Sequence, residues 1–168
     1  MMMERIKAIA ESLVKRLQKR GCTLATAESC TGGAIAAAVT AISGCSAVFK
    51  GSVVAYCNEV KAEVLGVNRE TLSVYGAVSE ETVRQMVLGV QSLLKVDCAV
   101  ATSGIAGPGG GSPEKPVGTV WMAVAVGNRV EARLLQIEDK GREANIETTV
   151  AEALQFLSAI EASDKVLL

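Results

Sequence analysis

The chain has 168 residues, a formal net charge of -1 and no histidine, with a pI of about 5.6. Such a balance offers no excess of Lys and Arg to neutralise a phosphate backbone, so no nucleic-acid partner is expected. Without histidine, neither a Ser-His-Asp nor a Cys-His machine can be assembled and the commonest metal ligand is missing, which leaves proton transfer to Lys, Glu, Asp, Tyr or Cys.

The size fits one domain over residues 1–168 with one sizeable core. Residues 3 to 19 carry Ile6, Ile9, Leu13 and Leu17 at three- and four-residue steps, predicting an amphipathic helix ended by Gly21. Charge falls at nearly every turn of this segment, unlike a signal peptide or a membrane span, so a cytoplasmic protein away from membranes is expected. A short strand at about 22–27 leads through ESCTGG into a small-residue helix, Ala34 to Ile42, ending near Gly44. Residues 48–56 read as a strand and 59–65 as a short helix stopped at Gly66. Ser79 with Glu80 and Glu81 opens a helix to about Leu94. Val96 to Ala101, Val117 to Val126 and Val130 to Ile137 read as strands, and 142–160 as a closing helix. Gly127 and Asn128 predict a tight hairpin, so the expected architecture is α/β, a three-layer α/β/α sandwich with a mixed central sheet. The five cysteines, Cys22, Cys30, Cys45, Cys57 and Cys98, form no C-x-x-C pair. At least four read as small buried hydrophobes.

Three stretches can carry chemistry. In TAESCTGG, Ser29 sits at a strand-to-helix junction, over backbone N–H groups from residues such as Cys30, Thr31 and Gly32 that could receive an oxyanion. A plain N-cap role for Ser29 or Thr31 is the competing reading. In AYCNEVKAEVLG, Asn58 reads as an N-cap, which puts Lys61 in the first turn. The helix dipole disfavours a cation there, and with burial it lowers a lysine pKa towards that of a general base. A surface lysine is the competing reading. In ATSGIAGPGGGSPEKPVGTVW, glycines 104, 107, 109, 110 and 111 let backbone N–H groups converge on an anionic ligand. No G-K-[ST] follows, so this is not a Walker A loop, and a flexible connection is the competing reading. Together these features suggest a Ser/Lys hydrolase that needs no metal, acting on a substrate with an anionic group.

The same stretches, with GCSAVFKGSVVAYCNEVKAEVLGV and GAVSEETV, resemble the CinA C-terminal domain family, whose stand-alone members include nicotinamide-nucleotide amidases. The similarity runs from about residue 5 to residue 160. The resemblance implies hydrolysis of nicotinamide mononucleotide to nicotinate mononucleotide and ammonia, in pyridine-nucleotide recycling, by a Ser/Lys mechanism with no cofactor. It places the catalytic serine on Ser29 and the lysine on Lys61, with Tyr56 assisting proton transfer or lining the ring pocket. The glycine-rich loop, here Ser103, Gly104, Ile105, Ala106, Gly107, Gly109, Gly110 and Gly111, would bind the small-molecule nucleotide together with Arg142. Two departures stand out: Cys57 replaces the serine of the family's Tyr-Ser-Asn stretch, and Ile146 stands where a second arginine is expected after Arg142. A homo-oligomer, as a dimer, is the expected assembly. The alternatives are a non-catalytic nucleotide-binding or protein-interaction module of the competence/damage-inducible type, and a Ser/Lys amidase for another small amide.

Overall fold

The structure, a computed structural model, describes residues 1–165. Helix α1 (Met2–Arg20) buries Ile6, Ala10, Leu13, Val14 and Leu17, and Gly21 ends it in the left-handed conformation. Strand β1 (Leu24–Glu28) is buried at every position. Then come α2 (Ala34–Thr40), a 3₁₀ turn at Cys45–Ala47, β2 (Phe49–Val54), α3 (Asn58–Glu63), α4 (Arg69–Tyr75) and α5 (Glu80–Leu94). Strands β3 (Cys98–Gly104), β4 (Thr119–Val126) and β5 (Arg129–Gln136) precede the closing helix α6 (Arg142–Ser163).

The sheet order is β2-β1-β3-β4-β5. β1 runs parallel to β2 and β3, whereas β4 is antiparallel to β3 and β5, giving the expected mixed sheet. The two faces differ in bulk because large and small residues alternate along the strands with a period of two. Leu24, Cys98, Val100, Val120, Met122, Val124 and Val126 meet α1, α2 and α6 on one face. Ala25, Ala27, Ala99, Ala101, Ala123 and Ala125 face α5 on the other, where Val83, Met86, Val87 and Val90 fill the gap. The alanines bring α5 close, and Gly89 on it leaves no room for a Cβ against the Leu65 carbonyl.

The sequence reading omits α4 and misplaces one cap. Asn68 caps α4 by accepting from the Glu70 N–H, a local signal inside a stretch too short for helical periodicity to register. The cap of α3 is Cys57, without a side-chain cap bond, and Asn58 is its first residue. Of the cysteines, Cys22, Cys30 and Cys98 are buried, Cys45 is half-buried and Cys57 is exposed. That is fewer than the four buried ones expected, because Cys45 and Cys57 lie at a surface turn and a helix start. Among the described residues no helix is long and apolar enough to cross a membrane.

The chain order sends α2 to one face and α3, α4 and α5 to the other, while β1 lies between β2 and β3. The carboxyl ends of these parallel strands therefore border a crevice at a switch point, the usual ligand position in open α/β sheets.

Candidate active site

Ser29 follows the last residue of β1, and its N–H donates to the Thr102 carbonyl on β3 at 3.0 Å. Lys61, on α3, reaches back under the strand ends, and its Nζ lies 3.0 Å from Ser29 Oγ. The same Nζ donates to the carbonyls of Ala55 at 2.8 Å and Tyr56 at 3.3 Å. Lys61 is 1% exposed, and no carboxylate pairs with it among the described residues. Burial therefore pushes its pKa below the usual 10.5. A neutral amine has two N–H groups and one lone pair. With the N–H groups given to the two carbonyls, the lone pair is left for the Ser29 hydroxyl, the arrangement a general base requires.

The helix-start amides are arranged differently from expectation. α2 begins only at Ala34, so Ser29 stands in the turn ahead of it rather than over its first turn. The N–H groups of Ile35 and Ala36 are taken by the carboxylate of Glu28, both at 2.9 Å. The N–H of Gly32 donates to the Ser29 carbonyl at 3.0 Å, which removes Gly32 from the oxyanion donors. The Thr31 N–H donates to no other group among the described residues, and that of Cys30 meets only its own thiol. Cys30 lines the cleft and is the better placed of the two. Its buried thiol has its pKa pushed up to about 12, chiefly by desolvation, which leaves it a poor rival to the serine.

A cleft of about 270 Å³ opens over this pair. Ser29, Cys30, Tyr56 and Lys61 line it together with Ser103, Gly104, Ala106 and Arg142, and Cys57, Asn58, Ala77 and Val78 complete it. Tyr56 meets Lys61 through its carbonyl, while its hydroxyl accepts from Arg142 Nη2 at 2.9 Å. Arg142 Nη1 donates to the Gly107 carbonyl at 2.8 Å, so the guanidinium bridges the glycine loop and the start of α3. Ser103 Oγ donates to the Ala77 carbonyl at 2.8 Å and ties β3 to the connection before α5.

The rest of the glycine loop lies elsewhere. Ile105, Gly107, Gly109, Gly110 and Gly111 do not line the cleft, and Gly109 to Gly111 are exposed. Several of these glycines serve the loop's own packing. A Cβ at Gly104 would sit 2.6 Å from Val120 Cγ2, and one at Gly107 would sit 2.5 Å from Val117 Cγ1. Ile146 packs against the core between α1, α2 and α6, away from the cleft, so that departure from the family pattern does not touch the site.

Two residues the sequence reading passes over belong to this region. Glu28 is one. Asn145, the other, is buried on α6, where Nδ2 donates to the Ala106 carbonyl at 3.0 Å and Oδ1 accepts from the Lys140 N–H at 3.1 Å. An asparagine inside a helix start, where it competes with the backbone, is the signal that could have found it. Among the described residues no group of three or more Cys, Asp or Glu side chains is placed to hold a metal ion.

A sequence model of the CinA C-terminal domain matches residues 6–160. The chain belongs to the CinA C-terminal domain family. It is 46% identical over 149 residues to the nicotinamide-nucleotide amidohydrolase PncC of Escherichia coli, covering 89% of this chain and 90% of that one. It is 51% identical over 127 residues to a putative competence-damage inducible protein of Caldanaerobacter subterraneus, covering 76% of this chain and 31% of that one. The chain thus spans about a third of such longer relatives and nearly the whole of the shorter one. Among solved structures, the competence/damage inducible protein CihA of Agrobacterium tumefaciens superposes with a TM-score of 0.91 at 43% identity, covering 93% of this chain and 95% of that one. A competence damage-inducible protein A of Klebsiella pneumoniae gives 0.90 at 38% identity, covering 94% and 98%.

Proposed function

We propose that this protein is a cytoplasmic, single-domain Ser/Lys amidase that converts nicotinamide mononucleotide to nicotinate mononucleotide and ammonia. The observation that carries the reading is the 3.0 Å approach of a buried, carboxylate-free Lys61 to Ser29 Oγ. The likeness to a protein named nicotinamide-nucleotide amidohydrolase supplies the substrate.

In the reaction, Lys61 Nζ takes the hydroxyl proton as Ser29 Oγ attacks the carboxamide carbon. The Cys30 N–H, with that of Thr31, receives the oxyanion. As the intermediate collapses, the Lys61 ammonium gives its proton to the amide nitrogen, the C–N bond breaks and ammonia leaves, with the acyl group as an ester on Ser29. Water then attacks the ester while Lys61 takes a proton from it. The C–Oγ bond breaks, the proton returns to Oγ, and the carboxylate product departs. Arg142, with N–H groups to spare beyond Tyr56 and Gly107, receives the nucleotide phosphate.

One observation favours a second reading within the same chemistry. The glycines at the loop tip lie outside the cleft, which fits a smaller amide than a mononucleotide. Ammonia release from nicotinamide mononucleotide, measured beside a panel of small amides and with Ser29→Ala and Lys61→Ala variants, tests both. Turnover of the nucleotide, lost in both folded variants, is expected. Turnover of a small amide in preference transfers the mechanism to the second reading, and retained activity in either variant rejects the dyad.

A further inference from the structure

We propose that Glu28 is the positioning residue of the nucleophile: its carboxylate clamps the turn carrying Ser29 and keeps Oγ on Lys61. The proposal rests on the Ser29/Lys61 reading above and deepens it.

Glu28 has no exposed surface. Each of its carboxylate oxygens accepts one backbone N–H and one hydroxyl at short range. Oε1 takes the Ile35 N–H at 2.9 Å and Thr31 Oγ1 at 2.7 Å, and Oε2 takes the Ala36 N–H at 2.9 Å and Thr26 Oγ1 at 3.0 Å. Ser52 Oγ stands further off at 3.5 Å. Thr26 Oγ1 also meets Ser52 Oγ at 2.6 Å, so the carboxylate sits in a network that reaches from β1 and β2 to the start of α2.

The location matters more than the number. Helices are ordinarily capped by their own N-cap side chain, but the N-cap of α2 is Gly33, without a side-chain bond, and its first turn holds no acidic residue. The acceptor is supplied by Glu28, so its side chain spans the turn that carries Ser29. The backbone of Glu28 is fixed at the same time, since its carbonyl accepts from the Ala55 N–H at 2.9 Å. The turn is pinned in the middle by the contact of Thr31 Oγ1 with Thr102 Oγ1 at 2.8 Å. Sliding Ser29 away from Lys61 therefore requires breaking charge-assisted bonds in a dry place. Glu28→Gln keeps the shape but places an NH₂ against a backbone N–H whichever way the amide is turned.

The test reads Ser29 directly, without the natural substrate. The full chain is treated with a small fluorophosphonate, and labelling of Ser29 is followed by intact mass across reagent concentration and pH, with folding checked by circular dichroism. Glu28→Gln is expected to lower the maximal labelling rate about 10- to 100-fold. The half-saturating concentration should stay within about threefold. The pH midpoint should not move, because Glu28 does not touch Lys61. Ser52→Ala, at the far side of the carboxylate, is expected to label at the parent rate. A folded Glu28→Gln labelled at the parent rate overturns the proposal, as does a loss of rate accounted for by its unfolded fraction. If Glu28→Gln does not fold, Thr31→Val removes the turn's own bond to the carboxylate and is expected to slow labelling about tenfold. The parent rate in that variant overturns the proposal equally. Failure of the parent protein to label at Ser29, with Lys61 intact, rejects the nucleophile and this proposal with it.

Discussion

Replacing Lys61 with methionine separates the two consequences of a buried, unpaired amine. Methionine keeps the length and the apolar stem, but it leaves the Ala55 and Tyr56 carbonyls without the donor they now have at 2.8 and 3.3 Å. A lost partner for a buried polar group costs about 1–3 kcal/mol. Against this stands the penalty of burying the lysine itself, for which each unit of pKa depression corresponds to about 1.4 kcal/mol. The two effects oppose one another, so the net change in stability at neutral pH is smaller than the larger of the two, while turnover falls by at least about 10²-fold. The pH dependence distinguishes them. Folding lowers the Lys61 pKa from 10.5, so between the two values the unfolded chain binds more protons than the folded one. Stability of the parent protein therefore rises with pH across that window, whereas the variant lacks this contribution. Urea unfolding at steps from pH 7 to pH 10 should show the gap widening in the parent's favour, by up to about 1.4 kcal/mol per pH unit. Parallel stability curves for the two proteins would refute the buried-amine argument, and so would a variant with parental turnover.

Arg142→Lys keeps the charge but cannot hold Tyr56 and Gly107 together. kcat/KM for nicotinamide mononucleotide should fall about tenfold, the loss of roughly one charged hydrogen bond, in steady-state assays. Iodoacetamide at pH 8 should modify exposed Cys57 and spare Cys30, whose thiol is held at about 12, as peptide mass spectrometry will show. Gly89→Ala improves helix propensity by about 1 kcal/mol, yet its Cβ collides with the Leu65 carbonyl. A net loss of about 1–3 kcal/mol is expected, seen as a melting temperature lowered by several degrees.

Much of the site was legible because its chemistry is local. The absence of histidine, a serine at a strand end, and a lysine near a helix start each narrow the choices within a few residues. What stayed hidden depends on partners distant in sequence or on the direction of a side chain. Glu28 reads as one more polar residue before SCTGG, since the strand burying it and the Ser52 hydroxyl beside it are tertiary facts. A usable hint was present: AIAAAVT offers no acid and no capping hydroxyl for its own first turn, so its acceptor had to come from elsewhere. The glycine loop is ambiguous for a different reason. Its glycines do permit close approach, but at Gly104 and Gly107 the neighbours are Val120 and Val117 rather than a ligand, and composition cannot tell the two apart. α4 escaped because seven residues give too little periodicity to weigh against the loop signals around them.

The alanine-lined face of the sheet has a bearing on which molecules can enter the cleft. α5 rests on Ala25, Ala99, Ala101, Ala123 and Ala125, and the connection leading into it supplies Ala77 and Val78 to the cleft wall. Ser103 ties that connection to β3, so the wall's standoff from Ser29 follows the thickness of a layer of methyl groups deep in the protein. Valine in place of one of those alanines would lift the helix and change the clearance at the mouth while leaving Ser29 and Lys61 in place. Substrate size in this architecture is thus adjustable from the core, by residues that no ligand touches.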